Sequence, residues 1–158
     1  MGRPDIRPLY ENEGLTLDKF VAEYDVQGKS QLLWINHSFD EEISEQSENT
    51  LKQAIARFEK HFSFVGITEY FDESLIILKH LFGWKTPYYQ RKNIGKYQKS
   101  IMPSKSSIDF FNRKNKFDIS LYSKARKDFE NLLALIPDDI RKEIAYFKAL
   151  SLSMRGGR

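Results

Sequence analysis

The sequence predicts an α/β chain that is predominantly helical, with one clear strand at about residues 62–68 and one or two weaker strand candidates. Three observations lead there. Apolar residues recur at helical spacing along most of the chain. Phe62, Phe64, Val65 and Ile67 form a short apolar run, rich in strand formers and bounded by the residues 66–69. With 158 residues, 41% hydrophobic and 14% aromatic, the chain has enough apolar material for one ordinary domain spanning 1–158.

The elements follow in chain order. Leu17, Phe20, Val21 and Tyr24 are spaced as one face of a short amphipathic helix, with Thr16 placed to cap it. "QLLWINHSF" reads either as a strand or as a buried turn, and "DEEISEQSEN" as a surface loop. A helix over about 49–61 puts Leu51, Ile55, Phe58 and Phe62 on one face, and Lys60 and His61 suit its C-terminal dipole. The strand at 62–68 comes next. Phe71, Leu75, Leu78 and Phe82 then mark a helix that Thr68 or Asp72 can cap and Gly83 can end. "WKTPYYQRKNIGKYQKSIMP" has no helical period and is an extended strand or a long ordered loop. Helices follow at about 104–113 and 118–135, the second with Leu121, Tyr122, Ala125, Phe129, Leu132 and Leu133 inward. Pro137 breaks the chain before a last helix with Asp138 near its start.

Several chemistries find no support. No stretch reaches the roughly 18 apolar residues needed to span a bilayer, and "MGRPDIRPLYENEG" lacks the apolar core of a signal peptide. The expectation is a chain without a membrane segment or export signal, cytoplasmic in a bacterial cell. Without cysteine there is no thiolate nucleophile and no zinc-thiolate site, and His37, His61 and His80 do not have metal-ligand spacing, so no metal is expected. There is no G-x-S-x-G elbow. Asp72 with Glu73, and Asp138 with Asp139, sit at helix starts as capping residues rather than as an acid and base pair. "GKS" at Gly28, Lys29 and Ser30 has Glu23 where a phosphate-binding loop needs glycine, and is a turn.

Charge distribution is more informative than the net +3. Lys85, Arg91, Lys92, Lys96, Lys99 and Lys105 lie within 85–107 with no acid among them; without these six, the 25 basic residues fall to 19 against 22 acidic ones. One local strip therefore carries the positive excess, as expected of a surface for an anion. Tyr88, Tyr89 and Tyr97 interleave with it, so a second reading is a polyanion or single-stranded nucleic-acid binding module using 85–107. The strip is short and the remaining chain acidic, so no nucleic-acid partner is expected.

"LKQAIARFEKHFSFVGITEYFDESLIILKHLFGW", 51–84, carries a helix feeding F-x-x-V-G-I-T-E, then F-D-E-S and a closing aromatic-G-W. Asp118, Leu121, Tyr122 and Ala125 follow as D-x-x-L-Y-x-x-A. These motifs resemble the sulfotransferases related to heparan sulfate and uronyl 2-O-sulfotransferases and their bacterial relatives, over about 14–133. The resemblance implies the C-terminal portion of a P-loop-like sulfotransferase fold. It also implies transfer of a sulfuryl group from 3'-phosphoadenosine 5'-phosphosulfate, the donor substrate, to a hydroxyl-bearing carbohydrate acceptor. Arg91, Lys92, Asn93, Gly95 and Lys96 match the loop that closes over the adenosine bisphosphate and are the implied donor contacts. Thr68 and Glu69, at the carboxyl end of the expected strand, would border the site, or would serve only as cap and dipole partner. The glycine- and serine-rich 5'-phosphosulfate loop of that family and the stretch carrying its general base are not found. The expectation is a partial sulfotransferase domain from a split, truncated or degenerate gene; in the split case a second chain would supply the N-terminal half, without which the chain would be inactive.

Overall fold

The structure is a computed structural model that describes residues 30–37, 45–85, 87, 89 and 103–153. Among these residues it forms six α-helices, one 3-10 turn and no strand. The helices are α1 (Gln31–His37), α2 (Glu48–His61), α3 (Phe71–Phe82), α4 (Lys105–Lys114), α5 (Lys116–Leu135) and α6 (Asp138–Ser153), with the 3-10 turn at Thr68–Tyr70. They fall into two units, one drawn from Met1–Leu51 and Gly95–Ile119, the other from Lys52–Ile94 and Ser120–Arg158. The expected helix around residues 16–24 lies outside the described residues. No helix among the described residues is long and apolar enough to cross a membrane.

In the first unit, hydroxyl caps decide where helices begin. Ser30 Oγ accepts from Leu33 N–H at 3.3 Å and donates to Asp118 Oδ1 at 3.0 Å, while Leu32 N–H donates to the same carboxylate oxygen at 2.9 Å. Two free amides of the first turn of α1 are thereby satisfied, and "QLLWINH", whose expected form was a strand or buried turn, is a helix. Ser47 and Thr50 exchange backbone-to-hydroxyl bonds at 2.7 and 3.1 Å, a reciprocal box that starts α2. Fully buried Asn36 donates from Nδ2 to the Thr50 carbonyl at 2.8 Å, joining α1 to α2. Ser104 caps α4 by accepting from Ser107 N–H at 3.2 Å.

The second unit is organised by α3. Ile77 packs with Ala125 and Phe129 of α5, whereas its neighbour Ile76 packs with Ile144 and Phe147 of α6. Lys79 pairs with Glu143 and Glu73 with Lys148, so α3 and α6 run antiparallel. Gly83 ends α3 in the left-handed region at φ 64°, its N–H and that of Trp84 both bonded to the Lys79 carbonyl, the second at 3.0 Å. Pro137 supplies the carbonyl that receives Arg141 N–H at 3.0 Å and opens α6.

The strand expected at 62–68, and with it the α/β class, is overturned. Phe62 N–H still reaches the Phe58 carbonyl at 3.2 Å, continuing the turn of α2. Ile67 is extended (φ −113°, ψ 129°), but its N–H goes to Ser74 Oγ of α3 at 3.3 Å rather than to a neighbouring strand. Tyr70 N–H closes the 3-10 turn on the Ile67 carbonyl at 2.9 Å. Phe64, Val65 and Ile67 are apolar because they pack against Phe129 and Ala125, so helices bury what a sheet was expected to bury. Gly66 permits this close passage: a Cβ there would lie 3.2 Å from Ser74 Oγ and 3.3 Å from the Phe64 ring. The other inward residues of α5 behave as expected except Leu132, which is exposed.

Phe129 is buried at the centre of the first cluster and meets both Phe64 and Tyr70 ring to ring, at 5.9 and 5.4 Å. Phe129→Ala is expected to lower unfolding stability in urea by about 3–5 kcal/mol, the usual cost of an aromatic cavity. Gly83→Ala meets no atom within 4 Å of the new Cβ, so its cost is conformational alone. A loss of about 1 kcal/mol in the same titration is expected, and no loss would contradict the left-handed cap.

Candidate functional site

The residues expected at the border of the site, Thr68 and Glu69, both lie exposed in the 3-10 turn that leads into α3. Thr68 caps nothing: the residue preceding α3 is Tyr70, without a side-chain capping bond. Glu69 has a defined partner, its Oε1 accepting from Tyr122 Oη at 2.8 Å. Tyr70, next along the turn, donates from Oη to Glu130 Oε1 at 2.8 Å, and Arg126 Nε donates to that same oxygen at 2.8 Å. The Arg126 guanidinium lies 5.8 Å from the centre of the Tyr70 ring.

Helical spacing explains how α5 builds its half of this face. Tyr122, Arg126 and Glu130 recur every four residues and form one stripe, opposite the turn carrying Glu69 and Tyr70. The Tyr122 hydroxyl holds the Glu69 carboxyl below its ordinary range, and Glu69 in turn raises the phenol. Arg126, followed by Tyr70, holds Glu130 low as well, and those same contacts raise Arg126 further. Two ionised carboxylates thus surround one guanidinium, leaving this face net negative. The carboxylate oxygens are acceptors for neutral hydroxyls.

A second polar cluster lies along α3 and α6. Glu143 receives Lys79 on Oε1 and faces His80 Nε2 across 2.8 Å on Oε2, and its carboxyl is held low chiefly by Lys79. Glu73 is buried and paired with Lys148, and Asp72 Oδ1 accepts from Tyr89 Oη at 2.6 Å. Asp72 and Glu73 are therefore tertiary partners rather than the caps expected of them. Residues 63 and 64 apart in sequence make the Glu143 contacts, and no local pattern signals such a pairing.

Of the basic strip, Lys85 and Lys105 are described and exposed, Lys105 as the first residue of α4. The expected donor contacts Arg91, Lys92, Asn93, Gly95 and Lys96 lie outside the described residues. The D-x-x-L-Y-x-x-A motif is accounted for residue by residue. Asp118 holds the start of α1, Leu121 and Ala125 are buried, and Tyr122 bonds Glu69. Sequence reasoning named Glu69 and Tyr122 in separate motifs, and their meeting is a product of the fold.

A protein-family model described as galactose-3-O-sulfotransferase matches residues 18–153. No curated protein and no solved structure matches the chain. The sulfotransferase part of the sequence resemblance is supported, while its assignment to the heparan sulfate and uronyl 2-O branch is not.

Tyr122→Phe removes the donor to Glu69 and exposes the bond's pH dependence. A lowered carboxyl stabilises the fold above the ordinary carboxylate range and loses that contribution as pH falls through its folded value. A raised phenol contributes below the ordinary tyrosine range and loses that contribution as pH rises through its own folded value. Thermal midpoints of native and Tyr122→Phe chains are expected to differ throughout the range between the ordinary carboxylate and ordinary tyrosine values, and to converge only as pH falls through the lowered value of Glu69 or rises through the raised value of Tyr122. A constant offset at every pH would show that the bond contributes nothing.

Proposed function

The chain belongs to the galactose-3-O-sulfotransferase family, and on that premise we propose that it serves transfer of a sulfuryl group from 3'-phosphoadenosine 5'-phosphosulfate to a hydroxyl of a galactose-bearing carbohydrate. The observation that carries the proposal is the family match over residues 18–153. In the reaction, the acceptor oxygen bonds to sulfur as the bond from sulfur to the bridging oxygen breaks. The acceptor loses its proton, and adenosine 3',5'-bisphosphate leaves with the electron pair.

The two substrates make opposite electrostatic demands. The donor carries several negative charges, and Arg91, Lys92, Asn93, Gly95 and Lys96 are the residues proposed to hold it, through charge-assisted and backbone bonds. The acceptor is a neutral polyol in its reacting part, and Thr68 and Glu69 are proposed to border its side of the site, where the ionised Glu69 carboxylate accepts from hydroxyls.

The sequence holds no glycine- and serine-rich turn of the kind the resemblance assigns to the 5'-phosphosulfate, so the readout is donor-product binding rather than turnover. Adenosine 3',5'-bisphosphate at 100 times its Kd is expected to stabilise the folded chain by about 2.7 kcal/mol in thermal unfolding. Pyrophosphate and a short oligonucleotide serve as charge controls. Lys92→Ala should weaken nucleotide binding by about tenfold. Equal stabilisation by the oligonucleotide would favour a general polyanion surface, and nucleotide affinity unchanged by Lys92→Ala would refute the assignment of that residue.

A further inference from the structure

Gly83 ends α3, and on either side of it the exposed rings of Phe82 and Trp84 stack at 5.4 Å. Tyr89, six residues on, is back at the other end of the helix. Its hydroxyl donates to Asp72 Oδ1 at 2.6 Å, and its ring meets Phe71 edge to face at 4.9 Å and Phe147 of α6 at 6.3 Å. Asp72 and Gly83 are about 16 Å apart along the helix axis, at a rise of about 1.5 Å per residue. Six residues of extended chain reach about 20 Å, enough for that return but not for a wide detour. Tyr89 is thus committed inward, packed against the cluster of Ile76, Ile144 and Phe147, and is not free to stack on a base as a nucleic-acid module would require.

We propose that Tyr89 is a positioning residue: through its bond to Asp72 it seats the start of the basic strip at the Glu69 end of α3. The role rests on the function proposed above and deepens it. Phe71 and Asp72 directly follow the 3-10 turn Thr68–Tyr70, whose Thr68 and Glu69 border the proposed acceptor side. Arg91, the first of the residues proposed to hold the donor, is two peptide links from Tyr89, a reach of about 7 Å. Sulfuryl transfer needs donor and acceptor in one place, with the reacting atoms about 3–3.5 Å apart. A strip that left directly from the Gly83 end would begin a helix length away from Glu69. The bond between Tyr89 and Asp72 brings the two sets of residues to the same end.

Placement and role are tested separately, on the full chain. The sequence has no cysteine, so Thr68→Cys with Gln90→Cys, and Leu81→Cys with Gln90→Cys, each provide the only two thiols for spin labels. The pair at 68 and 90 is expected to give the shorter distance, and an equal or longer one than the pair at 81 and 90 overturns the seating. The role is read from the affinity for adenosine 3',5'-bisphosphate, measured by calorimetry. Tyr89→Phe keeps a ring against Phe71 and Phe147 and removes the bond, and it should weaken nucleotide binding by about threefold to tenfold. Asp72→Ala should match it, and Asp72→Asn, which keeps an acceptor oxygen, should recover most of the affinity. In the Lys92→Ala background Tyr89→Phe should have less effect, because it acts through the strip. Native affinity in Tyr89→Phe, alongside weakened binding in Lys92→Ala, overturns the positioning role. An absence of nucleotide binding by the native chain removes the sulfotransferase premise and the role with it, while the label distances still decide where the strip begins.

Discussion

Helix α3 carries apolar residues on two sides, and a helix built in that way has to be covered twice. Ile77 is covered by Ala125 and Phe129 of α5, and Ile76 by Ile144 and Phe147 of α6. The other features of that unit follow from this demand. The connector at 62–67 brings Phe64, Val65 and Ile67 to the α5 side, the 3-10 turn brings Glu69 and Tyr70 to its rim, and α6 must run antiparallel to complete the second layer. The Lys79 and His80 contacts with Glu143 are partly exposed and individually contribute little, so burial supplies the stability and the charges, with the pair of buried Glu73 and Lys148, fix the register.

Charge is unevenly distributed along the chain. Positive excess is confined to residues 85–107, and the face built from Glu69, Tyr122, Arg126 and Glu130 is net negative.

Helices with strong local signals were legible in the sequence. The spacing of Phe71, Leu75, Leu78 and Phe82, with Gly83 behind them, located α3 and its end, and Pro137 with Asp138 located the start of α6. The misreadings have one cause. An apolar run such as Phe62, Phe64, Val65 and Ile67 records burial but not the identity of what buries it, and here helices do so. Residues 31–37 were ambiguous for a similar reason: the partner that stabilises their helix start, Asp118, is 86 residues away. Of the candidate site, Glu69 and Tyr122 were visible as members of motifs, but their contact was not, because it depends on the packing of α5 against the turn. The Glu143 contacts and the exposed Phe82–Trp84 stack left no local signature either, as aromatic residues at helical spacing look like core until a structure shows them uncovered.

The passage from α2 to α3 is held at two successive residues: Gly66 passes so near Ser74 that an added Cβ would lie 3.2 Å from its Oγ and crowd it, and the Ile67 amide is bonded to the Ser74 hydroxyl. This sets a ruler on the chain. A residue inserted or deleted between 62 and 67 would slide Ile67 off its acceptor and push a larger group into the space Gly66 leaves, and the error would pass directly to Glu69 and Tyr70. A change of length in this connector would therefore require a different seating of α3.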